Sequence, residues 1–476
     1  MMLKREQAYV AGEWIDGSDW IQVTNPATGE TVGRVPALGA NETRRAIKAA
    51  DQAQPAWAAK TAKERAGVLR RWFELMTEHA DALAELMTTE QGKPLAEARG
   101  EVAYAASFAE WFAEEAKRVY GHTIPAHKTD ARIVVQQQPV GVVGAITPWN
   151  FPLAMITRKA APALAAGCAV VIKPSELTPF SALAMMVLAE AAGVPPGLMS
   201  VVTGYPTEIG SELTGNPTVR KITFTGSTRV GKLLMQQSSQ HIKRLSLELG
   251  GNAPFIVFED ADLDAAVAGA MASKFRNAGQ TCVCANRFYV HDAVYDAFME
   301  KFAAAIGDLT VGNGMDAGVT QGPLISEAAL DKVQAHVADA IERGGRLVLG
   351  GQPHALGGTF FQPTLIADLA SDAQLCCEET FGPVAGVMRF NDEGEVIRLA
   401  NDASVGLAGY FYSRDLSRVW RVAEALEVGI VGVNEGIIST EAAPFGGVKE
   451  SGLGREGSSL GIEEYLETKY ILMGGI

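Results

Sequence analysis

Cysteine is scarce in this chain: five residues in 476 (Cys168, Cys282, Cys284, Cys376 and Cys377), two pairs of them nearly adjacent. That is too few for a disulfide scaffold at this length, and a reducing cytoplasmic setting is expected. Positive charge is also short. A net charge of −14 argues against nucleic acid or an anionic membrane surface as the main partner. The most apolar long run, 153–172, is interrupted by Arg158 and Lys159 and falls short of a membrane span. Residues 1–9 are polar and lack the apolar core of a signal peptide. There is no low-complexity linker and no repeat of solenoid period. The Cys-x-Cys at 282–284 is too closely spaced for zinc and has no His or Cys cluster near it in sequence, so no metal is expected.

The composition that remains, 47% hydrophobic and 20% charged, is that of a globular protein with two or three domains and large cores. Residues 1–40 read as short strands and turns, with Gly12, Asn25-Pro26 and Thr28-Gly29 as breakers. A helical pattern runs from Glu42 to about Val119, with Trp57, Leu69, Trp72, Phe73, Leu83 and Leu86 as core. Arg132–Gln138 is polar on alternate positions, which suits an outward-reaching hairpin arm. From 140 to 249 strands (140–146, 169–172, 200–203, 222–225, 245–249) alternate with helices (152–166, 180–192, 208–213, then to about 237). This is the signature of βαβ units and a parallel, doubly wound sheet, which binds nucleotides beyond its carboxyl strand ends. A second α/β series runs from Pro254 to about Asn434, with strands near 255–257, 287–290, 384–390, 409–412 and 430–433. The tail is glycine-rich and ends in an extended run, 468–473, free to pair with another subunit or to pack on its own chain.

Two glycine-rich matches fail in context. Gly452-Leu453-Gly454-Arg455-Glu456-Gly457 satisfies G-x-G-x-x-G, but no strand precedes it and too little chain follows for a βαβ unit. Gly226-Ser227-Thr228-Arg229-Val230-Gly231-Lys232 has most of a P-loop, but Leu233 stands where magnesium needs Ser or Thr. The second loop still joins a strand to a helix, so Gly226 and Ser227 sit where backbone N–H groups meet an anion; the plainer reading is a helix N-cap.

Three residues carry candidate chemistry. Cys282 follows an apolar helical run, 263–275, and Gly279, read as the end of that helix; a free cysteine is otherwise commonly a small buried hydrophobe. Glu248 alternates with leucines in Leu245-Ser246-Leu247-Glu248-Leu249 and so faces away from them at a strand's carboxyl end; a solvated edge glutamate is the alternative. Asn150, in Trp149-Asn150-Phe151-Pro152, is alone a simple N-cap. Together they supply a nucleophile, a base and an oxyanion donor beside a nucleotide site.

These segments and others resemble the NAD(P)-dependent aldehyde dehydrogenase superfamily: Ile146 to Pro152, Lys173-Pro174-Ser175-Glu176, Phe224-Thr225-Gly226-Ser227, Leu247 to Gly251, Gly279-Gln280-Thr281-Cys282, Glu378 to Pro383 and Pro444-Phe445-Gly446-Gly447. Within it the chain is most similar to succinate-semialdehyde dehydrogenases, through Met155 to Lys159, Lys274 to Asn277, Cys282 to Arg287 and Gly452 to Gly457. The resemblance implies an α/β fold with a Rossmann-type cofactor domain (1–119 and 138–247), a catalytic domain (248–438) and a β oligomerisation arm (120–137 and 456–476). A homo-oligomer, dimer or tetramer, follows from the arm.

The same resemblance implies the roles. Cys282 adds to the aldehyde, Asn150 and the Cys282 N–H hold the oxyanion, and Glu248 activates water to release the acid. Ile146, Thr147, Trp149, Lys173, Ser175, Glu176, Gly226, Ser227, Leu249, Glu379 and Phe381 line the cofactor site. NAD is expected over NADP, because a carboxylate at Glu176 hydrogen-bonds ribose hydroxyls and repels an added phosphate. Arg158, Arg276 and Ser439 are expected to hold the distal anion of a small aldehyde; the plainer reading of each arginine is snorkelling to solvent. Succinate semialdehyde leads, with glutarate semialdehyde and sulfolactaldehyde as alternatives. A cysteine-dependent thioesterase or esterase would use the same Cys282 and Glu248, and a Cys282–Cys284 disulfide under oxidation is implied by likeness to mammalian members.

Overall fold

The computed structural model describes residues 3–476 and builds the chain around two large sheets. In the first, the five parallel strands Val142–Ile146, Ala169–Lys173, Met199–Val201, Val219–Thr225 and Arg244–Glu248 are arranged 3-2-1-4-5. That order reverses between Val142–Ile146 and Val219–Thr225, and a crevice opens at such a reversal. Ala8–Val10 and Gly452–Leu453 close the two sides antiparallel. The terminal segment therefore takes part in the sheet: Gly452 pairs with Glu248 and Leu453 with Leu247.

Four helices, Ala40–Ala58, Ala62–Glu78, Ala80–Gln91 and Leu95–Glu115, cover part of this sheet's core. Trp57, Leu69, Trp72 and Leu83 are fully buried there, while Phe73 and Leu86 are only partly buried. The two tryptophans keep their polar ends satisfied by donating to the Leu164 and Met185 carbonyls, at 2.9 and 3.2 Å. This joins the helical layer to the βαβ units.

The second sheet has seven strands, in the order 346–349, 364–367, 384–390, 285–291, 253–257, 408–412 and 430–433. Its pairings are parallel except Arg346–Leu349 with Thr364–Ala367. Those two strands are not legible in the sequence: Arg346–Leu349 is a half-exposed edge, and Thr364–Ala367 is a four-residue buried run that periodicity alone does not separate from loop. The strands Arg244–Glu248 and Ala253–Val257 are separated by only four residues, which links the sheets tightly.

The third sheet is the arm. Leu466–Gly474 runs antiparallel to Ala131–Pro139 of its own chain over nine residue pairs, and His122–Ile124 takes the other side. The tail thus packs on its own chain along one side of the strand. Among the described residues no helix is long and apolar enough to cross a membrane.

Candidate active site

The crevice at the strand-order reversal is a cleft of about 790 Å³, partly open to solvent, whose lining includes Trp149, Asn150, Gly226, Ser227, Glu248, Leu249, Cys282, Lys332, Glu379 and Phe381. Cys282, Glu248 and Asn150, more than a hundred residues apart at the extremes, thus meet in one cavity. Lys332 has no motif around it that singles it out. It reaches the cleft by donating to the Glu379 carbonyl.

The helix before Cys282 ends earlier than Gly279. It spans Leu263–Lys274, and Asn277, Ala278 and Gly279 then take left-handed backbone at φ 52°, 53° and 73°. A β-carbon on Gly279 would stand 2.2 Å from the Gly382 carbonyl oxygen, so only glycine fits. The two non-glycine residues cost about 1–3 kcal/mol each in backbone strain, and a dense set of bonds holds them. The Asn277 N–H donates to Glu97 (2.8 Å), its Nδ2 to the Asn150 carbonyl (3.1 Å), and its Oδ1 accepts from Gln91 (3.0 Å).

This loop leaves Cys282 half-buried, and its N–H has no hydrogen-bond acceptor among the described residues. Burial pushes the thiol up to about 12, with Glu379 and Glu248 acting in the same direction and Arg158 and Arg276 against it. Cys284 points elsewhere. It is buried, and its thiol donates to the Lys274 carbonyl at 3.4 Å. All five cysteines are free thiols.

Asn150 is not an N-cap. The following helix begins at Ala154 with Leu153 at the cap, and its first N–H groups go to Glu101. Asn150 Nδ2 donates to the Gln280 carbonyl at 3.0 Å. An amide nitrogen carries two hydrogens, so one fixes the rotamer and the other is left for the cleft.

Glu248 is buried, not a solvated edge residue, because Gly452–Leu453 covers its strand. This explains the glycines of the discarded G-x-G-x-x-G: a β-carbon on Gly452 would lie 1.8 Å from the Leu247 carbonyl oxygen. Glu248 Oε2 has no hydrogen-bond partner among the described residues. Burial raises its carboxyl well above the ordinary 4.5; Glu456 adds to that, while Arg158, Lys159 and Arg455 oppose it.

The same tail segment inserts Glu456 beside the two cations that break the apolar run 153–172. Arg158 Nη2 lies 2.7 Å from Glu456 Oε2, and Lys159 Nζ bonds both Glu456 and Thr225. All three ions are buried. Arg158 therefore neither snorkels to solvent nor stands as an uncommitted cation; its guanidinium also packs 4.0 Å over Phe445. Arg158 Nε has no hydrogen-bond partner among the described residues, so the guanidinium is held mainly by its charge attraction to Glu456. Arg276 differs. It is half-buried, lies 5.5 Å over Phe151 and makes no ion pair among the described residues. Tyr104, which no sequence motif marks, has a buried hydroxyl with no partner among the described residues, in the fields of Arg158, Arg276 and Cys282. Ser439 is half-buried on the loop after strand Ile430–Val433 and is not part of the cleft lining.

The rest of the cleft suits a dinucleotide. Ser227 caps the eleven-residue helix Thr228–Ser238 by accepting from the Val230 N–H, and a β-carbon on Gly226 would meet the Phe224 ring at 2.4 Å. The Gly226 N–H is taken by the Glu248 carbonyl at 3.0 Å, so an anion there would meet the helix N-terminus after Ser227 and not Gly226. Glu379 accepts from the Gly251 N–H at 3.2 Å, and burial raises its carboxyl to about 7. Phe381, at φ 58°, meets Trp149 edge to face. Ile146, Thr147, Lys173, Ser175 and Glu176 lie along the same sheet edge outside the enclosed cleft. There Ile146 pairs with Lys173, the Thr147 N–H bonds the Lys173 carbonyl, and Lys173 Nζ reaches Glu176 at 2.7 Å.

Comparison with known proteins agrees with this picture. The aldehyde dehydrogenase family matches residues 14–471. A glutarate-semialdehyde dehydrogenase of Pseudomonas aeruginosa is 65% identical, over 100% of this chain and 99% of that protein. The NADP(+) succinate-semialdehyde dehydrogenase of Escherichia coli is 64% identical, over 99% and 98%. The crystal structure of succinate-semialdehyde dehydrogenase from Burkholderia pseudomallei superposes with TM-score 0.98 at 61% identity, over 99% of this chain and 98% of that one.

Proposed function

The chain belongs to the aldehyde dehydrogenase family, and we propose that it oxidises a small aldehyde with a distal carboxylate, foremost succinate semialdehyde, through a covalent bond to Cys282. The observation that carries this is Arg276: a half-buried cation in no ion pair among the described residues, in the field of Glu97, six residues before the thiol and felt by it. In so acidic a chain a free guanidinium beside a nucleophile selects anionic substrates. Glutarate semialdehyde differs by one methylene, worth about 0.8 kcal/mol; the P. aeruginosa relative bears that name. Sulfolactaldehyde offers a similar anion.

In this mechanism Cys282 gives up its proton to solvent in the partly open cleft, and its sulfur attacks the aldehyde carbon to form a thiohemiacetal. The carbonyl oxygen becomes an oxyanion received by the second Asn150 amide hydrogen and the free Cys282 N–H. When bound, the nicotinamide cofactor supplies the hydride acceptor. Glu248, whose Oε2 has no partner among the described residues, must ionise against the burial that raises its carboxyl; its carboxylate then takes a proton from water as it attacks the thioester, freeing the acid and the thiol. Gly226, Ser227, Leu249, Glu379 and Phe381 would hold the cofactor in the cleft, and Lys173 with Glu176 the far ribose. Glu176 sits 34% exposed at that edge, which supports NAD over NADP, although the E. coli relative is named for NADP(+).

Residues 1–119 and 138–247 make the cofactor domain, 248–438 the catalytic domain, and 120–137 with 456–476 the oligomerisation arm. Among the described residues both outer strands of the arm, Leu466–Gly474 and His122–Ile124, have an unpaired side; Tyr470, Leu472 and Met473 are exposed on the first, Ile124 on the second and Tyr120 just before it. Such an edge calls for a second copy, which supports a dimer or tetramer. Five free thiols fit a reducing cytoplasm.

The deciding experiment compares kcat/KM for succinate semialdehyde, glutarate semialdehyde, a sulfonated aldehyde and butanal, with NAD and with NADP. Preference for butanal over every anionic aldehyde would overturn the substrate reading. Acid release without cofactor reduction would favour the hydrolase alternative.

A further inference from the structure

The segment between helices Ala80–Gln91 and Leu95–Glu115 carries no motif in the sequence, yet it packs behind Asn150, which lines the cleft. Lys93, Glu97 and Glu101 follow one another at intervals of four, the spacing of one stripe on a helix. Such a stripe is ordinarily a solvated face. Here Lys93 and Glu101 are buried, their side chains 1% exposed. Lys93 Nζ bonds Glu101 Oε2 at 2.5 Å and the Asn150 carbonyl at 2.7 Å, and lies 4.0 Å over the Phe151 ring. Glu101 Oε1 accepts the Leu153 and Ala154 N–H groups at 2.9 and 3.3 Å. Glu97 accepts the Asn277 N–H, and Asn277 Nδ2 donates to the same Asn150 carbonyl that Lys93 holds.

The backbone carrying Lys93 is itself wedged. A β-carbon on Gly314 would stand 2.4 Å from the Lys93 carbonyl oxygen, and one on Gly322 would stand 2.1 Å from that of Gly92. The Lys93 N–H goes to Gln91 Oε1 at 3.0 Å, and Gln91 Nε2 holds Asn277. These three charges, Lys93 just before the helix and Glu97 and Glu101 on it, thus grip both ends of 150–154 and the strained turn that precedes Cys282.

We infer that Lys93, with Glu101 and Glu97, is a positioning group for the oxyanion site: it fixes the Asn150 backbone relative to the Cys282 loop. This rests on the thiohemiacetal mechanism proposed above. Lys93 touches neither substrate nor cofactor. It acts by holding an amide donor and a backbone N–H on different segments in register, and a misplacement of about 1 Å between such groups costs on the order of a hundredfold in rate. Lysine suits the position because a single Nζ has three hydrogens for a carboxylate, a carbonyl and a ring face.

The test is a double-mutant cycle between Lys93→Met and Asn150→Ala, read by kcat and KM separately, with cofactor affinity followed by fluorescence titration. Lys93→Met should lower kcat roughly ten- to a hundredfold and leave KM for the aldehyde and cofactor affinity within about threefold. On the Asn150→Ala background it should cost almost nothing more, because the donor it positions is gone. Because Lys93→Met strands Glu101, the charge-neutral pair Lys93→Met/Glu101→Gln is measured alongside and should show the same kcat loss. Full loss on the Asn150→Ala background, a loss carried by KM, or unchanged kcat would each overturn the inference. So would failure of the charge-neutral variant to fold, since the stripe would then be a folding element. If Asn150→Ala itself kept full activity, the oxyanion reading would fall instead.

Discussion

Arg158 Nη2 stands 2.7 Å from Glu456 Oε2, and both side chains are buried. Glu456 also pairs with Lys159, and although burial works against its charge, Lys159 and Arg158 more than offset that and hold its carboxyl below the ordinary range. Two cations next to the proposed catalytic base are thereby tied to one carboxylate, while Arg276 forms no ion pair among the described residues and feels Glu97 only through its field.

The two arginines should therefore differ. Arg276→Ala is expected to raise KM for succinate semialdehyde about ten- to a hundredfold, the worth of one charge-assisted hydrogen bond, and leave butanal nearly unaffected. Arg158→Ala should impair both substrates and lower stability by about 3 kcal/mol, as loss of one member of a buried ion cluster does. Steady-state kinetics with both aldehydes and urea melts separate these outcomes. Equal losses for both substrates in Arg276→Ala would remove the basis for anionic selectivity.

Cys282→Ala should abolish dehydrogenase and esterase activity with the fold intact, whereas Cys284→Ala should keep substantial activity, since its thiol points to the Lys274 carbonyl. Circular dichroism with both assays checks this, and an active Cys282→Ala protein would refute the nucleophile.

Alkylation of Cys282 in the cofactor-free enzyme should rise with pH without a plateau below about pH 10. The reactive form is the thiolate, and burial pushes the thiol up to about 12, so its ionised fraction keeps growing through that range. Iodoacetamide rates on Cys377→Ser protein, which lacks the one exposed thiol, followed at the Cys282 peptide by mass spectrometry, give the profile; a plateau near neutrality contradicts the buried-thiol picture.

Glu248→Gln should block acid release yet stabilise the fold near neutral pH. A carboxyl raised above 4.5 in the folded state keeps its proton where the unfolded chain has lost it. The native state then binds more protons, and stability falls as pH climbs past 4.5 toward the folded value. Glutamine does not titrate. The melting difference between variant and parent should vanish near pH 4 and widen toward neutrality (a window set roughly by the unfolded carboxyl); a constant difference would contradict it.

Glu176→Ser should shift kcat/KM toward NADP, since it removes a negative charge at the expected position of the added phosphate. The ratio of the two cofactors' kcat/KM measures this directly. Equal or better use of NADP by the parent enzyme would overturn the NAD preference.

The sequence alone determined the local chemistry. Strand-and-helix alternation gave the parallel sheet, because hydrophobic period reports which face of an element is buried. Glycine and proline punctuation placed Cys282, Glu248 and Asn150 at strand or loop ends, where side chains become available to a cleft. Tertiary structure decided everything that depends on partners distant in the chain. Lys159 and Glu456 are 297 residues apart, and nothing in the local pattern around either residue records the pairing. Glu248 looks like an exposed edge glutamate until Gly452–Leu453 lies over it. Lys93, Glu97 and Glu101 look like a solvated stripe until Asn150 and Asn277 complete their bonds. Spacing along the chain says which side chains share a face; only packing says whether that face meets water, a carboxylate or a backbone carbonyl, and at this site that difference sets which charges are free.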